Sequence, residues 1–219
     1  MKQLIAIFDL DGTLIDGYQA IHAAINRMLR TLGYKEIGID LIKRSVGKGE
    51  IDIVSRFVEQ QHVREALTLY RTFHIEELPH KSVLKNGAME LLEFLRKRDV
   101  RLAVVTNRVR QTAEAVTAAL DIQRFFSMLV SEEDVKEPKP DPEGILSIIT
   151  RFKGDTKRSF YVGDMGIDLS AGRNAGVPTY IVLTGSSRRS DFSEDAFPLL
   201  FEDLDAVRRR LSFDFPELS

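Results

Sequence analysis

An apolar run, Leu4-Ile5-Ala6-Ile7-Phe8, leads straight into Asp9-Leu10-Asp11-Gly12-Thr13, and this junction constrains the whole chain. A run of aliphatic and aromatic residues without alternation predicts a strand buried on both faces. Ionised carboxylates cannot follow such a strand into a core without partners, because desolvating each charge costs several kcal/mol. Asp9 and Asp11 therefore belong at the carboxyl end of the strand, with Gly12 turning the chain away. In open α/β sheets that rim is where ligands bind. Two carboxylates there suit either the holding of a cation or a division into nucleophile and acid/base.

The rest of the sequence supplies such a sheet. Helical spacing at residues 88–95 precedes a buried strand at 101–105, ending in Thr106-Asn107. A helix at 109–120 and a short strand at 126–130 follow, then a loop, Lys136-Glu137-Pro138-Lys139-Pro140-Asp141-Pro142, and a helix at 143–152. Further strands are expected at 159–162, ending in Gly163-Asp164, at 179–183 and at 199–201, with a closing helix at 203–211. Strands and helices alternating at this spacing predict a parallel sheet with right-handed crossovers. Residues 15–81 have a different texture: apolar positions recur at helical spacing, with no strand-like alternation. The expected fold is thus α/β, a Rossmann-like parallel sheet core (residues 1–14 and 82–219) with an inserted all-helical cap (15–81). Pro79 is expected to mark the return to the core, and the tail after Ser212 to be loosely held.

Composition narrows the chemistry. The chain has no cysteine, which excludes disulfides, zinc–thiolate sites and thiol catalysis. Any metal must be held by oxygen or imidazole, and oxygen donors favour hard cations such as magnesium. His22, His62, His74 and His80 lack metal-ligand spacing and are expected at the surface or between helices. The formal net charge of −2 and the absence of a basic stripe argue against nucleic acid as a partner. No apolar segment has the length of a membrane span, and Asp9 and Asp11 cut the first one too short for a secretory signal, so a cytoplasmic enzyme is expected.

In a parallel sheet the polar strand ends share one rim. That rim would collect Asp9, Asp11, Thr106, Asn107 and Asp164, with Asp168 four residues on and Lys139 in its proline-flanked loop. Carboxylates for a divalent cation beside hydroxyl and ammonium donors for phosphate oxygens form a set suited to phosphoryl transfer.

Asp9-Leu10-Asp11-Gly12-Thr13, Val105-Thr106-Asn107, Lys139-Pro140 and Gly163-Asp164-Met165-Gly166-Ile167-Asp168 resemble the four motifs of the haloacid dehalogenase-like hydrolases, in that family's order. Ser45-Val46-Gly47-Lys48-Gly49-Glu50 is similar to a cap segment of its phosphoglycolate-phosphatase-like members. The resemblance implies that Asp9 is the nucleophile, taking the phosphoryl group as an aspartyl-phosphate. Asp11 would protonate the leaving oxygen and later take a proton from water. Thr106 and Asn107 would bind phosphate, and Lys139 would neutralise it, with Lys136 the competing choice. Asp9, Asp164 and the backbone carbonyl of Asp11 would hold magnesium; Asp168 would bind it directly or through water, or orient Lys139. Lys48 and Arg108 are candidates for substrate recognition.

The expected activity is magnesium-dependent hydrolysis of a small phosphorylated metabolite, phosphoglycolate first. A sugar phosphomutase or a pyrophosphatase of the same family is the alternative, and a catalytically silent binding module is another.

Overall fold

The computed structural model describes residues 3–219. Among these, six strands form one parallel sheet: β1 (Ile5–Phe8), β4 (Arg101–Val105), β5 (Phe126–Val130), β6 (Ser159–Gly163), β7 (Thr179–Val182) and β8 (Leu200–Phe201). Their order across the sheet is β5–β4–β1–β6–β7–β8. Because β1 is central, both of its faces are covered. Ala6 and Phe8 join an apolar layer with α5 (Ala88–Arg96), α6 (Arg110–Ala119) and α9 (Leu204–Asp214). Ile5 and Ile7 join the opposite layer with α7 (Glu143–Arg151) and α8 (Gly166–Ala175). Each fully buried side chain of this size contributes about 1.5–3 kcal/mol of transfer free energy, so the two layers fix the strand's position.

Register then sets the rim. Phe8 is level with Val104 on one side and Val162 on the other. Asp9, Thr106 and Asp164 consequently emerge one or two residues later at the same end of three adjacent strands, where the sheet changes direction of winding.

The segment between β1 and α5 contains α1 (Tyr18–Thr31), α2 (Ile39–Ser45), α3 (Glu50–Ser55) and α4 (Val63–Lys81), with an apolar cluster of its own around Ile25, Met28, Leu29, Ile42, Val54 and Tyr70. Two short strands flank it: β2 (Ile15–Asp16) pairs antiparallel with β3 (Val83–Leu84), and Lys85 Nζ reaches Asp16 Oδ2 at 2.9 Å. The sequence reading assigned no strand here, since two-residue strands are too short to display a period. Pro79 does not end α4, which continues through it to Lys81. In the last turn a proline removes only one donor from the ladder. Among the described residues no helix is long and apolar enough to cross a membrane.

The tail differs from expectation as well. Residues beyond Ser212 are packed: the Phe215 ring lies 5.4 Å from that of Phe160, and Leu218 is buried. Phe215→Ala should therefore lower unfolding free energy by about 3 kcal/mol in a urea titration, whereas a loose tail would give almost no change.

Where the helical insert meets the sheet's rim, Gly49 holds a φ of +95°, and a Cβ there would stand 2.5 Å from Glu132 Oε2. Burial, with Glu50 and Glu133 nearby, pushes the Glu132 carboxyl up to about 7. A carboxyl raised in the folded state favours folding below its unfolded pKa, and that contribution is lost as pH rises from 4.5 through about 7. Glu132→Gln should accordingly raise the melting temperature at pH 8 and leave it unchanged at pH 4.

Candidate active site

The rim is built around the Lys139 ammonium. Its Nζ donates to Asp9 Oδ1 at 2.6 Å, to Asp168 Oδ1 at 2.7 Å and to the Tyr161 hydroxyl at 3.1 Å, and the side chain is buried. Burial alone would lower the pKa of the ammonium, but Asp168 and Asp9 more than reverse that and leave it raised. Burial likewise drives Asp9 up to about 7, with Lys139 opposing and Asp168 adding to the rise.

Asp168 is fully occupied. Its Oδ1 also accepts from the Tyr161 hydroxyl at 2.7 Å, and its Oδ2 accepts from the backbone N–H groups of Asp164 and Met165 at 3.2 and 3.0 Å. Four donors thus occupy its two oxygens, the Lys139 ammonium among them. Asp164 is the contrast: Oδ2 accepts from Ser186 N–H at 3.2 Å, while Oδ1 is buried with no hydrogen-bond partner among the described residues. Burial first, then Asp168 and Asp9, raise the Asp164 carboxyl well above its ordinary range. Carboxylate oxygens of Asp9, Asp164 and Asp168 lie within 4.8 Å of one another. Gly12, at a φ of +82°, lets the chain pass beside this group; a Cβ there would lie 2.6 Å from Asp164 Cγ.

Asp11 faces the other way. Both of its carboxylate oxygens accept from Arg108, Oδ2 from Nε and Oδ1 from Nη2, the latter at 2.7 Å. The buried Arg108 thus stands at the site beside Asp11, and its Nη1 is unpartnered among the described residues. Thr106 is buried at the rim, its Oγ1 accepting from Arg108 N–H at 3.2 Å.

The Asn107 side chain is engaged with backbone groups. Its Nδ2 donates to the carbonyls of Gly47 at 3.0 Å and Lys139 at 3.2 Å, and its Oδ1 accepts from Lys139 N–H at 3.0 Å. The amide is spent on fixing the lysine loop and on tying the rim to the helical insert. Lys48 is exposed and does not line the cavity, whereas Gly47, Gly49 and Glu50 around it do. Both flanking glycines have positive φ, and the loop they form sends the lysine to solvent.

That cavity, about 80 Å³, lies between the rim and the insert. Asp9, Asp11, Thr106, Arg108 and Lys139 form its floor; Glu50, Tyr70 and His74 are among the insert residues facing them. The sequence reading missed Tyr161, Glu50, His74 and the segment Thr184-Gly185-Ser186 after β7. A signal existed for His74, which follows Ala66 and Tyr70 and precedes Leu78 at four-residue spacing, so it lies on the buried face of α4. Another existed for Thr184 to Ser186, a polar stretch at the end of a buried strand. Glu50 begins α3, where an acidic residue needs no further explanation.

Comparison with known proteins places the sequence in a family. Residues 6–182 match the family model for haloacid dehalogenase-like hydrolases. A phosphoglycolate phosphatase of Pseudomonas fluorescens is 28% identical, over 93% of this chain and 78% of the relative. A phosphoglycolate phosphatase of Aquifex aeolicus is 26% identical, over 83% of this chain and 85% of the relative. Among solved structures, a predicted phosphoglycolate phosphatase from Haemophilus somnus superposes with a TM-score of 0.89 at 22% identity, covering 96% of this chain and 98% of that one. CbbY from Rhodobacter sphaeroides, in complex with phosphate, superposes with a TM-score of 0.77 at 20% identity, covering 88% and 92%. At such identities the solved structures speak for the fold, while the family model spans most of the sequence and all four rim segments: the chain belongs to the haloacid dehalogenase-like hydrolases.

Proposed function

We propose that the protein is a magnesium-dependent phosphatase that hydrolyses a small phosphomonoester through an aspartyl-phosphate on Asp9, with residues 15–81 acting as a cap over the site. The convergence of Asp9, Asp168 and Tyr161 on one buried lysine, with Asp11 and Asp164 beside them, carries this reading. The Pseudomonas and Aquifex relatives support it, since both are phosphoglycolate phosphatases.

The donor set fits a hard divalent cation. Asp9, Asp164 and Asp168 bring three carboxylates to a buried pocket whose nearest cation is the single Lys139 ammonium. Two negative charges are left over when all three ionise, and the buried Asp164 Oδ1 lacks a partner among the described residues. Asp9, Asp164 and the backbone carbonyl of Asp11 would hold magnesium, which when bound neutralises charge between the carboxylate nucleophile and the phosphate.

The chain's own residues divide the remaining work. An Asp9 oxygen attacks phosphorus; the bond to the ester oxygen breaks as the bond to Asp9 forms, and the departing oxygen takes a proton from Asp11. In the second step water attacks the phosphorus of the aspartyl-phosphate and gives a proton to Asp11, which releases inorganic phosphate and restores Asp9. For Asp11 to carry a proton, at least one of its two bonds to Arg108 must open. Lys139, fixed beside Asp9, stabilises negative charge on the transferring group through its positive charge, and a direct hydrogen bond to phosphate requires one of its three present bonds to open. The Thr106 hydroxyl donates to a phosphate oxygen.

Asp9→Asn should abolish phosphate release from p-nitrophenyl phosphate while leaving the circular dichroism spectrum unchanged; measurable turnover by this variant would remove Asp9 as nucleophile. Chelation should stop turnover, and magnesium alone should restore it. In the same magnesium titration, Asp168→Asn should lower kcat by about 100-fold or more without moving the half-saturating magnesium concentration, because its role is to hold Lys139. A large shift in that concentration would make Asp168 a metal ligand instead.

A further inference from the structure

The wall of the cavity opposite the phosphate floor carries polar groups that the hydrolytic steps do not use. Glu50 and His74, both more than nine-tenths buried, project into it from α3 and α4. Glu50 Oε2 is held by Arg71 Nε at 2.6 Å, but Oε1 has no hydrogen-bond partner among the described residues. Neither ring nitrogen of His74 has one. The Tyr70 ring stacks on His74, with centroids 5.0 Å apart and planes 28° from parallel, and both residues line the cavity. Arg108 adds a third unpartnered atom, Nη1, from the floor beside Asp11.

Buried polar atoms left unpaired in a protein are costly, and a cluster of them around one cavity describes the ligand that would pair them. The wall holds both signs of charge. A carboxylate on the substrate would approach the Glu50 carboxylate, and an ammonium would approach the Arg108 guanidinium. A hydroxyl meets neither objection, since it donates to Glu50 Oε1 and accepts from Arg108 Nη1. His74 adds one donor and one acceptor: burial, with Arg108 nearby, keeps its pKa well below the ordinary range and the ring neutral.

We infer that the alcohol released from the ester is a neutral, polyhydroxylated group, a polyol or sugar, whose hydroxyls are bound by Glu50, His74 and Arg108, and that the pocket disfavours the carboxylate of phosphoglycolate. This rests on the phosphatase reading and names its substrate class. Glu50 and His74 are the specificity-determining residues, and they lie on the insert rather than on the rim that performs the chemistry.

The test is phosphate release by the full-length protein with magnesium from glycerol 3-phosphate, glucose 6-phosphate, phosphoglycolate, phosphoethanolamine and p-nitrophenyl phosphate. At least one hydroxylated ester should exceed both phosphoglycolate and phosphoethanolamine in kcat/KM by about tenfold or more. Glu50→Gln and His74→Phe should each reduce the ratio of kcat/KM for that ester to kcat/KM for phosphoglycolate by about tenfold. A merely structural role would lower both values together and leave the ratio unmoved, which would overturn the assignment of these residues. Preference of the unaltered protein for phosphoglycolate or phosphoethanolamine would overturn the inference without recourse to any variant. Turnover of p-nitrophenyl phosphate but of neither hydroxylated ester would overturn it while leaving the phosphatase reading intact. Turnover of none of the five would overturn both.

Discussion

A single ammonium group, sealed from water and bonded in three directions, is the constraint on which this structure turns. Lys139 uses its three N–H donors on Asp9, Asp168 and Tyr161. Burial of one charge alone would be prohibitive, and removal of a partner from a buried ion pair is far more damaging than its formation is favourable. The residues around Lys139 are therefore mutually obligatory. Asp168 must be held by the backbone of Asp164 and Met165 to face the lysine, and the lysine loop must be held by Asn107 to place the ammonium. The same arrangement gathers three carboxylates, those of Asp9, Asp164 and Asp168, around one buried ammonium.

The sheet brings these groups together without specialised backbone in the strands themselves. Level register between β1, β4 and β6 puts three chain exits side by side, and alternation along β1 buries both faces beneath helices. The rim brings Asp9, Asp11, Thr106 and Lys139 to one side of the cavity, and the insert brings Glu50 and His74 to the other. Arg108 lines the cavity as well, holding Asp11 with two of its nitrogens and leaving the third without a hydrogen-bond partner among the described residues.

Much of this was legible in the sequence, and the limits have physical causes. An unbroken apolar run ending on carboxylates can be placed by desolvation, which locates Asp9 and Asp11, and the same strand-end pattern locates Thr106 and Asp164; Lys139 is singled out by its proline-flanked loop and by the family motif it resembles. Side-chain direction was not legible. Lys48 looked suited to an anion because of its charge, yet two positive-φ glycines turn it outward. Asn107 reads as the end of a Val-Thr-Asn strand exit, and only the structure shows its amide bonded to backbone groups 32 and 60 residues away. Asp168 is bonded by Tyr161, which reads as an ordinary core residue of β6 until its hydroxyl is located. The tail after Ser212 lacks periodicity, and its packing rests on Phe215 and Leu218, isolated apolar residues among polar ones.

The β2–β3 ribbon has a structural consequence of a different kind. Asp16 and Val83 are paired neighbours, so the polypeptide leaves the core and re-enters it at nearly the same point. Seen from the sheet, a 66-residue excursion between them closes like a short turn, and its length and internal architecture place no strain on the catalytic half. Closure entropy changes only slowly with the size of such an excursion. The insert can therefore change in size or internal architecture without displacing the strand ends from which Asp9, Thr106 and Asp164 emerge.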